Sequence, residues 1–179
     1  MVITNLWKCP SDENEQPYMK TISYRPIGVL HTPFRGLQGM PIQPTGRNSG
    51  HGTAEIFSEF AAGLKDLDGF SHIILMYHLH AVRKVDLTPT PFLDSEPRGI
   101  FATRAPSRPN PIGLSIVRLA RVKGHLLYLE NLDMLDGTPL LDIKPYVPVF
   151  DRPAGKVKTG WLEKARGRIR STKSDARFT

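Results

Sequence analysis

The chain has 179 residues, 40% of them hydrophobic and 23% charged, which fits one globular domain with a buried core. No apolar run approaches the roughly eighteen residues of a membrane-spanning helix, and the single cysteine, Cys9, excludes an internal disulfide or a cysteine metal cluster. Of the net charge of +7, most sits in residues 151–179, where 9 Lys/Arg face 3 Asp/Glu, so an anionic partner, nucleic acid first, competes with a merely solvated tail.

Residues 1–19 are polar and acidic, without the apolar stretch of a signal peptide, and read as a flexible extension of a cytoplasmic protein. A body over 20–150 and a basic tail over 151–179 follow. "TISYRPIGVLHT" alternates and is β-branched, as a first strand should be. "PFRGLQGMPIQPTGRNSGHG" is a long loop rich in glycine and proline, a type that in a compact domain is usually functional or disordered. "TAEIF" reads as a short strand. Ser58 then caps a short helix, "EFAAGLKDLDG", with Phe60, Leu64 and Leu67 on one face. "FSHIILMYHLHAV" is a buried or half-buried strand, and "GIFATRA" a shorter one beyond a proline-rich loop.

Two strands around Lys123-Gly124 predict a hairpin. "LLDIKPYVPVF" is a last strand interrupted by prolines, which places it at an edge or rim. "TGWLEKARGRIR" predicts a short basic helix, with Trp161, Leu162, Ala165 and Ile169 on one side. Many short strands without strand–helix–strand alternation indicate an all-β fold, a barrel or a sandwich.

Four stretches could carry chemistry. In "RAPSRPNP", prolines 106, 109 and 111 hold Ala105, Arg108 and Asn110 extended. A loop stiffened in this way loses little entropy on clamping a ligand; the plainer alternative is a rigid crossover. In "LDMLDGTPLLDIKPY", Asp136-Gly137 is a turn signal. Asp142 lies two residues before Lys144, so a pair on one strand face competes with a role as acceptor or base. Tyr146 offers a flat face to an aromatic ring, and an acidic acceptor beside Pro-Tyr suits the exocyclic amine of adenine. His72, His78 and His80 lack supporting cysteines or a carboxylate at ligand spacing, so hydrogen bonding is favoured over metal binding, and no metal is expected. "GLQGMPIQPTGRNSGHG" lacks the Gly-Lys-Ser/Thr of a phosphate loop.

"RGIFATRAPSRPNPIGLS" followed by "LDMLDGTPLLDIKPYVP", with "RPIGVLHTPF" and "GLKDLDGFSHIILMYHLH" before them, resembles the TsaA-like family, also called TrmO. The resemblance covers about residues 20–150. It implies a closed β-barrel with short helices, and a homodimer that uses S-adenosylmethionine. The implied reaction methylates N6 of threonylcarbamoyl-adenosine 37 in the anticodon loop of tRNA. The family's donor pocket maps onto Gln43, Pro44, Thr45 and Gly46, onto His80 and Ala81, onto Arg104 and Leu114, and onto Asp133, Met134, Leu135 and Asp136. Many members carry His-Gln where this chain has His80-Ala81, so a side-chain hydrogen-bonding group is lost there. For proton removal the expected candidates are Asp142 or Asp136, with Tyr146 or Asn110 orienting the base. Two alternatives stand beside this reading: a non-catalytic RNA-binding barrel that senses S-adenosylmethionine, and a methyltransferase for another substrate.

Overall fold

Six antiparallel strands close on themselves in the order β1-β2-β5-β4-β3-β6. They are β1 (Gly28–His31), β2 (Gly50–Ile56), β3 (His72–His78), β4 (Ile112–Lys123), β5 (Leu126–Leu132) and β6 (Thr138–Pro145). This computed structural model describes residues 21–44, 49–165, 167–169 and 171–178; the expected 1–19 extension lies outside them.

Period-2 alternation builds the wall. In β4, Gly113, Ser115, Val117 and Leu119 face the interior, and Ile112, Leu114 and Ile116 face out. The interior is filled by Leu30, Ile56, Ile73, Leu75, Leu127, Leu129, Leu132 and Leu140, each at most 2% exposed, so the barrel is a packed core. Bulges shift the register between Gly50 and His51, Leu119 and Arg121, and Met76 and Tyr77. Near the first, Asn131 adopts a left-handed backbone (φ 67°), which asparagine tolerates, and is exposed while Leu132 buries.

Several local expectations change, the first strand among them, which spans only Gly28–His31. "GIFATRA" contains a 3-10 turn at Ile100–Ala102 in place of a strand. The segment after Phe57 is also 3-10, Ser58–Leu64, and Ser58 makes no side-chain cap. β6 is no edge strand, since it pairs with both β1 and β3. Its prolines sit near its two ends, Pro139 opposite Val29 and Pro145 opposite Ile73, so the rim half of that reading holds.

The tail folds back onto the loops. Gly160–Ala165 is a 3-10 turn, shorter than the expected basic helix, yet its apolar side is as expected: Trp161 and Leu162 are half-buried and Ala165 is buried. Trp161 Nε1 donates to the Ala102 carbonyl at 2.8 Å, Arg168 to that of Leu93 at 3.0 Å and Arg177 to that of Pro91 at 2.7 Å. Lys173 bridges Pro41, and Phe178 meets Phe92 edge to face at 5.0 Å.

Candidate active site

One barrel end collects the chemistry. The pairings Gly50↔Leu132, Leu30↔Thr138 and His78↔Ile112 bring the ends of β1, β3 and β5 beside the starts of β2, β4 and β6. The loops 32–49, 79–111 and 133–137 therefore rise from the same rim, and the proline-stiffened loop meets the aspartate turn there.

Inside this mouth a polar chain interrupts the core. Ser115 Oγ donates to Asp133 Oδ1 at 2.7 Å. The serine has one proton to give, so with Asp133 ionised the Tyr77 hydroxyl donates to Ser115 Oγ, 2.9 Å away. Gly113 makes room for the phenol: a Cβ there would lie 2.1 Å from the Tyr77 ring. Burial lifts the Asp133 carboxyl to about 6, against the bond from Ser115 and the pull of Arg104. Burial, then the charge of Asp133, pushes the Tyr77 phenol above its ordinary range. Arg104 acts on both groups; it is exposed and has no hydrogen bond or ion pair among the described residues.

Asp136 is committed to the turn. Its Oδ1 accepts the Thr32 N–H at 3.0 Å and its Oδ2 accepts from Arg35, while Gly137 takes the positive φ of 75° that closes the bend. The Met134 carbonyl accepts from Thr32 Oγ1 at 2.9 Å and the Leu135 carbonyl from Thr138 Oγ1 at 2.7 Å. Thr138 Oγ1 also lies 3.3 Å from His80 Nδ1. Ala81 follows in the turn after β3, half-buried.

Gln43 Nε2 donates to the Ile169 carbonyl at 3.0 Å, so the tail touches the expected donor loop. Pro44 is half-buried beside it; Thr45 and Gly46 lie outside the described residues. Arg108 is turned inward upon its own loop, donating to the carbonyls of Ile100 and Thr103 at 3.1 and 3.0 Å. Asn110 is exposed on the same loop.

Other predicted residues stand apart. Asp142 pairs with Met76 on the outer wall, and its Oδ2 meets Lys144 Nζ at 2.7 Å. The same-face pair is thus the form observed: past the bulge in β6, Asp142 is turned out of the interior. Tyr146 donates its N–H to the His72 carbonyl at 3.1 Å, at the far end of β3. That strand's length, about 3.3 Å per residue, separates it from the mouth by roughly 20 Å. The expected meeting of Asp142 and Tyr146 with the proline-rich loop does not occur within one chain. Leu114 also faces out, 49% exposed.

Sequence reasoning missed Tyr77 and Ser115. Tyr77 continues the inward set Ile73, Leu75 and looks like plain core. Ser115 carries a legible signal, a hydroxyl at an inward position of an otherwise apolar strand.

The tRNA-methyltransferase O N-terminal domain profile matches residues 29–152. The chain belongs to the TrmO family. A probable S-adenosyl-L-methionine-binding protein of Pyrococcus abyssi is 51% identical over 157 residues, 88% of this chain and 85% of that protein. The tRNA (adenine(37)-N6)-methyltransferase of Homo sapiens is 37% identical over 138 residues, 72% of this chain and 31% of the human protein. Among solved structures, TrmO from Pseudomonas aeruginosa superposes with a TM-score of 0.66 at 37% identity, covering 79% of this chain and 63% of that one. The chain thus spans under two thirds of that TrmO and about a third of the human protein.

The mouth suits the donor that TrmO proteins are expected to use. Arg104, without a hydrogen bond or ion pair among the described residues, offers a forked cation to a carboxylate, Asp133 is an acceptor, and the Thr138–His80 pair adds polar edges.

Proposed function

We propose that this TrmO-family chain is an S-adenosylmethionine-dependent methyltransferase acting on N6 of threonylcarbamoyl-adenosine 37 in the anticodon loop of tRNA, as a cytoplasmic homodimer. The observation that carries the reading is the meeting at the barrel mouth of half-buried Asp133 with Arg104, which has no hydrogen bond or ion pair among the described residues. Its support is the family membership together with the names of the relatives.

The donor supplies an activated methyl group on a sulfonium, so the chain needs neither a metal nor a covalent intermediate. Arg104 binds and orients a carboxylate. Asp133, with its carboxyl near 6, is ionised enough at neutral pH to take the N6 proton as the new N–C bond forms, yet basic enough to hold it. Ser115 fixes the carboxylate's orientation, and Tyr77 fixes Ser115. Asp133 takes the role first considered for Asp142 and Asp136, because Asp142 lies on the outer wall and Asp136 is occupied by Arg35 and Thr32.

The homodimer is supported by the outer wall. Ile112, Leu114 and Ile116 form an exposed apolar stripe beside Ile74 and Met76 of β3. Leu114, a donor-pocket position by resemblance, lies outside the mouth of its own chain, so the pocket is complete only with a second copy on that face.

The test is transfer of a labelled methyl group to tRNA with and without the threonylcarbamoyl group. Transfer only to the modified tRNA is expected. Donor binding without transfer would favour the sensing barrel, and transfer to both tRNAs would favour another substrate.

A further inference from the structure

The proline-rich loop holds a buried polar atom that the described residues leave unsatisfied. Ser107 is 8% exposed, and its Oγ has no hydrogen-bond partner among the described residues. The residue lines a cleft of about 150 Å³ between segment 82–86 and the loop, with Arg177 and Phe178 on a further side. Asp86 N–H donates to the Ser107 carbonyl at 3.0 Å and ties two walls together.

The lining is cationic. Arg83 and Lys84 are exposed and make no hydrogen bond or ion pair among the described residues. Arg177 is already engaged by Asp175, at 2.7 Å, and by the Pro91 carbonyl. The lining's one carboxylate, Asp86, turns an oxygen to the Thr88 N–H at 2.9 Å. Two unneutralised cations and a spare hydroxyl donor thus surround a small hollow, in the loops that rise from the same rim as Arg104 and Asp133.

We propose that this cleft is an oxyanion site that takes a backbone phosphate of the RNA substrate. The inference rests on the reading of the chain as a tRNA methyltransferase and assigns part of that substrate a place. The Ser107 hydroxyl donates to a phosphate oxygen, Arg83 offers its fork and Lys84 a point charge. Pro106 and Pro109 flank Ser107, so the donor stands in place before the ligand arrives. A contact of this kind fixes the register of the RNA against the mouth and carries no base information.

The experiment uses the full chain with two probes, tRNA and inorganic phosphate. A buried hydroxyl without a partner does not stabilise the free protein, so Ser107→Ala is expected to hold or raise Tm while weakening tRNA about two- to tenfold. A fall in Tm with unchanged tRNA affinity would mean that Ser107 has only a structural role, and overturns the proposal. The double variant Arg83→Ala/Lys84→Ala is expected to weaken tRNA at least about tenfold and to reduce the salt slope of binding by about one to two. An unchanged slope in that variant overturns the RNA assignment, as does inorganic phosphate protecting the wild type but not Ser107→Ala while tRNA affinity stays equal. Methyl transfer by the wild type is read in parallel. Its failure would sink the enzyme reading, whereas the tRNA affinities and slopes still decide the cleft.

Discussion

At the scale of single residues, the chain Tyr77–Ser115–Asp133 sets the properties of the mouth. Asp133 has a raised carboxyl, about 6 against an ordinary 3.8, so between those values the folded chain keeps a proton that the unfolded chain has released. Stability therefore falls as pH rises through that window. Asp133→Asn should flatten the fall, by on the order of 1–3 kcal/mol, in thermal unfolding followed from pH 4 to pH 7. The same variant should lose at least about a hundredfold in single-turnover methyl transfer, and the wild-type rate should climb with an apparent pKa near 6. A full rate in Asp133→Asn would remove it as the proton acceptor. Gly113→Ala tests the support behind it. The added methyl would strike the Tyr77 ring, so a loss of about 1–3 kcal/mol in denaturant unfolding is expected, together with slower transfer.

At the scale of elements, the tail is the clearest departure from what its charge alone suggests. Its basic composition reads as a free end, yet Trp161, Arg168 and Arg177 bond loop carbonyls and Lys173 bridges Pro41. The apolar positions Trp161, Leu162 and Ala165 announce this, because a solvated end has no use for a covered side. Removing residues 160–179 should loosen the segment around Gln43 and weaken the methyl donor about tenfold by calorimetry; equal affinity would show that the tail plays no part in shaping that loop. Strands were legible from runs of apolar and β-favouring residues, as in β3, β4 and β5, although bulges break the burial alternation of β4 and β5. Ile100–Ala102 misled because its β-favouring residues are outweighed by a bend that the Thr103 N–H bond to the Ile100 carbonyl closes. The bulges left no mark in the sequence, since a single extra residue has no chemical signature of its own. Thus the outward turn of Asp142 could not be anticipated, whereas Asp136-Gly137 could.

At the scale of the whole molecule, closure explains how a strand with prolines near both ends survives: every strand has two neighbours, and the residues without an N–H fall near the rims. Closure also leaves the outer wall as the surface through which copies can meet. Ile116→Glu, on the exposed stripe and away from the mouth, should convert a dimer to monomer in analytical ultracentrifugation; a monomeric wild type would contradict the homodimer directly.

Leu114 and Ser115 are consecutive, yet one looks outward from the barrel wall and the other inward to the mouth's acid. Deleting a single residue at the head of β4 would exchange these roles along the strand, sending leucines toward the carboxylate and the hydroxyl into water. Point substitutions in this stretch should therefore be far better tolerated than length changes, and natural drift here should proceed by replacement alone.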